Sequence, residues 1–171
     1  MISILRKELA DYFTSIRCFI LFLLVLLASA GGLYAAYQGI RGTTETGFVF
    51  LKLFTTSGES LPSLVSFLSL FVPIIGIALG FDAINSERSS GTLNRILSQP
   101  VYRDSVINGK FLAGIVTLSI MMAVTMLIVS GYGLRMIGVA PTAEEFIRLF
   151  IYLVFIIIYG AFWMGLAILF S

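Results

Sequence analysis

The sequence predicts an all-α membrane protein, with an N-terminal interfacial amphipathic helix followed by four transmembrane helices. Three observations lead there. First, 58% of the 171 residues are hydrophobic and only 12% are charged, about half the charge fraction of an ordinary soluble domain. With a mean hydropathy of +1.03, these residues cannot assemble an adequate polar surface, so the solvent for most of the chain is a bilayer. Second, four apolar segments, residues 18–38, 61–84, 111–134 and 149–170, are long enough to span. At a rise of about 1.5 Å per residue, about twenty residues cover the roughly 30 Å hydrocarbon core. Third, runs such as CFILFLLVLLASA lack the alternation of a barrel strand. In lipid the backbone can satisfy its own hydrogen bonds only as a helix or a closed barrel, so helix is the reading.

Composition also narrows the chemistry. There is no His, which removes the commonest metal ligand and general base. The single Cys, Cys18, lies in an apolar run. It has no intramolecular disulfide partner, cannot form a zinc site alone, and reads as a buried inert thiol. The net charge of +2 is too small and too evenly spread to imply nucleic acid.

Residues 1–17, ISILRKELADYFTSIR after the first Met, place Ile2, Leu5, Leu9, Phe13 and Ile16 at helical spacing. A basic amphipathic helix before a spanning helix fits an element lying in the membrane interface; the alternative is a solvated extension of the first spanning helix. The 18–38 run is too long for a signal peptide and lacks a small-residue cleavage site, so it reads as a retained helix. In residues 39–60, GFVFLKLF is apolar but too short to span, and no role is readable. Ser60 is the candidate N-cap of the 61–84 helix.

Inside that helix Gly76 and Gly80 form a GxxxG pair, and Ala161 and Gly165 repeat small-xxx-small spacing in the last helix. Small residues let helices approach closely in lipid. Pro73 is expected to bend its helix. No Lys, Arg, Asp or Glu falls mid-membrane, which argues against a proton relay; Asp82 lies close to a helix end. The chain stops at GLAILFS without a polar flank, and it is expected to belong to a longer protein.

Orientation follows from the cations. Arg6, Lys7 and Arg17, with Arg88, Arg95, Arg103 and Lys110, fall on one side of four alternating spans; Arg41, Lys52, Arg135 and Arg148 fall on the other. The bias places the N-terminus and residues 85–110 in the cytoplasm.

That second loop, SERSSGTLNRILSQPVYRDSVINGK, is punctuated for a short helix. Gly91 breaks the emerging helix, Thr92 caps a new one over LNRILS, and Pro100 stops it. Leu93, Ile96 and Leu97 share one face, with Arg95 off it. A helix of about seven residues is not stable alone in water. Lipid, its own bundle or a partner groove must cover the apolar face. Glu87 precedes the helix N-terminus, where an anion is favoured by about 0.3–1 kcal/mol, or it is simply solvated. Arg88, Arg95 and Arg103 meet partner acids or lipid phosphates, or serve only topology.

The loop resembles the cytoplasmic loop of ABC-2 type transporter permeases. Glu87, Arg88, Gly91, Thr92, Leu93, Leu97, Pro100, Arg103, Gly109 and Lys110 carry the resemblance, and ILRKEL resembles the family's interfacial helix. The resemblance covers essentially the whole chain but about two-thirds of a usual six-helix member. It implies a permease subunit, an exporter by expectation, in a bacterial or archaeal cell membrane. A separate ATP-binding-cassette ATPase, holding ATP and Mg, would dock on the loop, and a second permease copy would complete a path. No cofactor is expected in this chain, which has no GxxxxGK[ST] phosphate loop. The rival reading is a non-transporting scaffold or anchor whose loop binds another partner.

Overall fold

The computed structural model describes residues 2–41, 49–57, 61–89, 103–138 and 140–170. Among them the chain forms helices and no strand: α1 (Ile2–Thr14), α2 (Ile16–Arg41), α3 (Val49–Thr55), α4 (Leu64–Ser89), α5 (Arg103–Ile137) and α6 (Ala143–Phe170). Four of these helices are long and apolar enough to cross a membrane, over Ile16–Ile40, Leu64–Phe81, Ile107–Met136 and Ala143–Phe170. The fold is therefore an all-α membrane fold. The helices overrun the apolar segments, because α4 continues to Ser89 and α5 already begins at Arg103.

Side chains set the helix ends. Ser15 separates α1 from α2, and its hydroxyl accepts a hydrogen bond from the Arg17 amide at 3.3 Å. It thereby caps α2, so Ile16 opens that helix instead of continuing α1. Ser60 lies outside the described residues. The N-cap seen on α4 is Ser63, whose hydroxyl accepts from the Ser66 amide at 3.4 Å and pairs with the Ser66 hydroxyl at 2.9 Å. Pro62 stands just before that cap, and α4 carries Pro73 within its length. At the end of α5, Gly138 has φ of 73° and donates its amide to the Leu134 carbonyl at 2.9 Å. This left-handed cap suits glycine, which has no Cβ to clash.

The chain divides into two compact units. One comprises Met1–Ile20, Val72–Ile120 and Ile157–Ser171; the other comprises Leu21–Phe71 and Met121–Ile156. In the first, α4 and α6 approach at glycines. A Cβ on Gly76 would lie 2.6 Å from the Gly160 carbonyl oxygen, and one on Gly80 would lie 2.7 Å from that of Met164. Gly160 in turn abuts Leu118 and Val72. Gly165 has more room, with the Phe111 ring 3.8 Å from an added Cβ, and Ala161 is half-buried.

In the second unit, α2 crosses α4 where a Cβ on Gly32 would lie 2.8 Å from the Leu64 Cα. The seven residues of α3 have Phe50, Leu53 and Phe54 fully buried. Glu145 holds α3 in place. Its Oε1 accepts the Phe50 and Leu51 amides at 3.0 and 3.1 Å. Its Oε2 accepts the Thr142 amide and hydroxyl at 2.9 and 3.0 Å. The Glu145 amide returns a bond to the Thr142 hydroxyl at 3.4 Å, which makes a capping box for α6. One carboxylate thus serves the N-termini of two helices, where orphan amides and the helix dipole favour an anion.

Five Ser and Thr hydroxyls within the spans are satisfied locally. Ser29, Ser69, Thr117, Ser119 and Thr125 each donate to the carbonyl four residues earlier, at 2.7–2.9 Å. This removes the cost of an unpaired donor in lipid. Phe19, Leu23 and Leu27 on α2, and Phe150, Phe155 and Phe162 on α6, are exposed, as befits surfaces that meet acyl chains.

Candidate functional site

The candidate site is built where α1 meets α4 and α5, the two helices that flank residues 90–102 in the chain. Glu87 and Arg88 lie in the last turn of α4, and Arg103 opens α5. Gly91, Thr92, Leu93, Arg95, Ile96, Leu97 and Pro100 lie outside the described residues. The described part of the site is therefore confined to α1 and to the two helices that flank residues 90–102 in the chain.

The face that α1 turns inward is polar. Glu8 and Tyr12, one helical turn apart, are 7% and 8% exposed. Leu5 and Leu9 are half-buried beside them, while Phe13 and Ile16 are exposed at 55% and 74%. The Tyr12 hydroxyl donates to the Leu79 carbonyl of α4 at 3.2 Å. The Lys110 Nζ of α5 donates to Glu8 Oε1 at 3.0 Å, with both side chains at most 10% exposed. Lys7 approaches the same oxygen at 4.0 Å and Asp11 at 3.9 Å, but it is well exposed. A buried ammonium is tolerable only when paired, because an uncompensated buried charge costs several kcal/mol.

Sequence reasoning counted Lys110 only for topology and for the Gly-Lys resemblance, and it did not single out Glu8 or Tyr12. The available signal was a carboxylate and a phenol at i, i+4, interrupting the amphipathic face of α1. Glu145 was also missed, although Thr142-x-x-Glu145 is a capping-box pattern before an apolar run. Among the described residues, no three His, Cys, Asp or Glu side chains group as metal ligands.

Two cavities open in the second unit. One of about 510 Å³ is lined by Phe50, Met126, Leu134, Phe146, Phe150 and Leu153, among others. The other, of about 440 Å³, includes Ser29, Tyr34, Tyr37 and Tyr132 in its wall. Neither lining contains a charged side chain, so neither offers an ionic contact to orient a ligand.

Long apolar helices preceded by a charge-paired N-terminal helix define a polytopic α-helical membrane protein. Residues 2–171 match the family described as ABC-2 family transporter protein, and the chain belongs to that family. Among curated relatives, it is 31% identical over 150 residues to a probable ABC transporter permease protein NosY of Pseudomonas aeruginosa. That match covers 86% of this chain and 49% of the relative. It is 28% identical over 142 residues to the protein of the same description from Stutzerimonas stutzeri, covering 83% of this chain and 46% of the relative. The chain thus spans about half the length of the curated relatives it matches. No solved structure matches it.

Proposed function

We propose that this chain is the membrane-spanning permease part of an ATP-driven exporter. The observation that carries the reading is the family match over 2–171, together with relatives described as ABC transporter permeases. A separate ATP-binding subunit, which binds ATP and Mg, docks on the segment between α4 and α5 from the cytoplasm. A second permease copy faces this one. Leu93, Ile96 and Leu97 supply the docking face, and Glu87, Arg88, Arg95 and Arg103 supply its rim. Nucleotide-driven closure of the partner shifts this segment and switches the permease between states.

The test is Leu97→Asp in the full-length protein. It places an unpaired carboxylate in an apolar contact, at a cost of several kcal/mol. Co-purification of the ATP-binding subunit and ATP-dependent flux are both expected to fall about tenfold or more, with membrane levels near wild type. Arg95→Ala is expected to cost about 1 kcal/mol or less, as rim charges do. Intact partner binding and flux in Leu97→Asp would remove the segment from the docking role. Loss of membrane accumulation instead would mean that its apolar face packs on its own bundle. Partner binding without any ATP-dependent flux in the wild type would favour a non-transporting anchor.

A further inference from the structure

We propose that Glu8 and Lys110 are positioning residues. Their ion pair clamps α1 to the Arg103 end of α5, so that the segment between α4 and α5 cannot shift without carrying α1. The inference rests on the reading of that segment as the docking element for an ATP-binding subunit. It adds a second element that must move with it.

Geometry carries the argument. α1 is tied to both helices that flank residues 90–102, to α4 through Tyr12 and the Leu79 carbonyl and to α5 through Glu8 and Lys110. The two contacts come from one face of α1, one turn apart. Glu8 and Lys110 are 102 residues apart in the chain, so the contact is tertiary and owes nothing to local helix formation.

The choice of an ion pair is itself informative. A buried pair adds little net stability over two apolar side chains of similar size. It differs from them in tolerance: apolar contacts slide, whereas separating a buried pair leaves an uncompensated charge. The pair therefore fixes the register of α1 on α5 in a way leucines would not. Lys7 also approaches Glu8 Oε1, at 4.0 Å, but it lies on α1 itself and so cannot tie α1 to α5.

The test uses the full-length permease reconstituted with its ATP-binding subunit. Two quantities are read: flux per ATP hydrolysed, and the distance between spin labels on Ala10 and Asn108, both exposed, in a Cys18→Ser background. In the wild type the distance is expected to stay the same with and without ATP. In Glu8→Gln the distribution should broaden and flux per ATP should fall about fivefold or more, with subunit co-purification unchanged. The exchanged pair Glu8→Lys with Lys110→Glu should restore at least half of the coupling. Glu8→Leu with Lys110→Leu separates stability from register: it should accumulate and melt like the wild type, yet remain uncoupled.

Full coupling in the double-leucine variant would overturn the proposal, since the pair would then be structural only. If that variant does not accumulate, Glu8→Gln decides: normal accumulation with normal coupling also overturns it. A wild-type distance that changes with ATP while coupling is intact does the same. Absence of ATP-driven flux in the wild type would defeat the proposed function instead. The label distance in Glu8→Gln against wild type would still decide whether the pair holds α1.

Discussion

Glu145 accepts four hydrogen bonds, two from α3 amides and two from Thr142, while only 2% exposed. Truncation to Ala would leave those donors without an acceptor, and unsatisfied buried groups cost about 1–3 kcal/mol each. Glu145→Ala is therefore expected to release α3. Hydrogen exchange at Phe50 and Leu51 should accelerate at least tenfold, and the melting temperature in detergent should fall. Glu145→Gln keeps one acceptor oxygen but turns an amide N–H₂ toward donors, so an intermediate effect is expected. Unchanged exchange at Phe50 in the Ala variant would show that apolar burial alone holds α3.

The contact of α4 with α6 depends on missing side chains. With the Gly160 carbonyl 2.6 Å from where a Gly76 Cβ would stand, Gly76→Leu must push backbone apart. Overpacking of this kind costs about 1–3 kcal/mol, and lower membrane accumulation and melting temperature are expected. Gly165→Ala, with its nearest neighbour at 3.8 Å, should leave both unchanged; equal damage from the two substitutions would refute the assignment of the contact. The four spanning helices were legible from the sequence because apolar length is a local property. Gly76 and Gly80 were visible as a spacing, but the residues they meet on α6, Gly160 and Met164, were not, since spacing along one helix does not say which helix it meets. α3 was visible only as an apolar stretch without a role, because seven residues carry too short a pattern and its anchor lies 95 positions away. The Glu8–Lys110 pair was illegible for the same reason: charge pairing over 102 residues leaves no periodic trace. Ser63 is the cap observed on α4, and Ser60 lies outside the described residues.

For the whole molecule, the Lys and Arg distribution and four alternating spans make a topological prediction. Asn108 and Ala140 lie beyond opposite ends of the Lys110–Arg135 stretch of α5 and are both exposed. In a Cys18→Ser background, Ala140→Cys should react with an impermeant maleimide applied outside intact cells, and Asn108→Cys should react only after permeabilisation. The opposite pattern would invert the protein and place residues 90–102 away from any cytoplasmic ATPase. The asymmetry of cations, not any contact within the fold, sets this outcome.

The double duty of Glu145 has a consequence for biosynthesis. A nascent chain grows at about 5–20 residues per second, and the carboxylate lies 95 residues after Phe50. Residues 49–55 therefore leave the ribosome roughly 5–20 s before their cap does. A seven-residue helix does not persist alone, and the Phe50 and Leu51 amides have no carboxylate acceptor until the start of α6 has been made. The cap that joins α3 to α6 is thus among the last contacts of the described fold that synthesis allows.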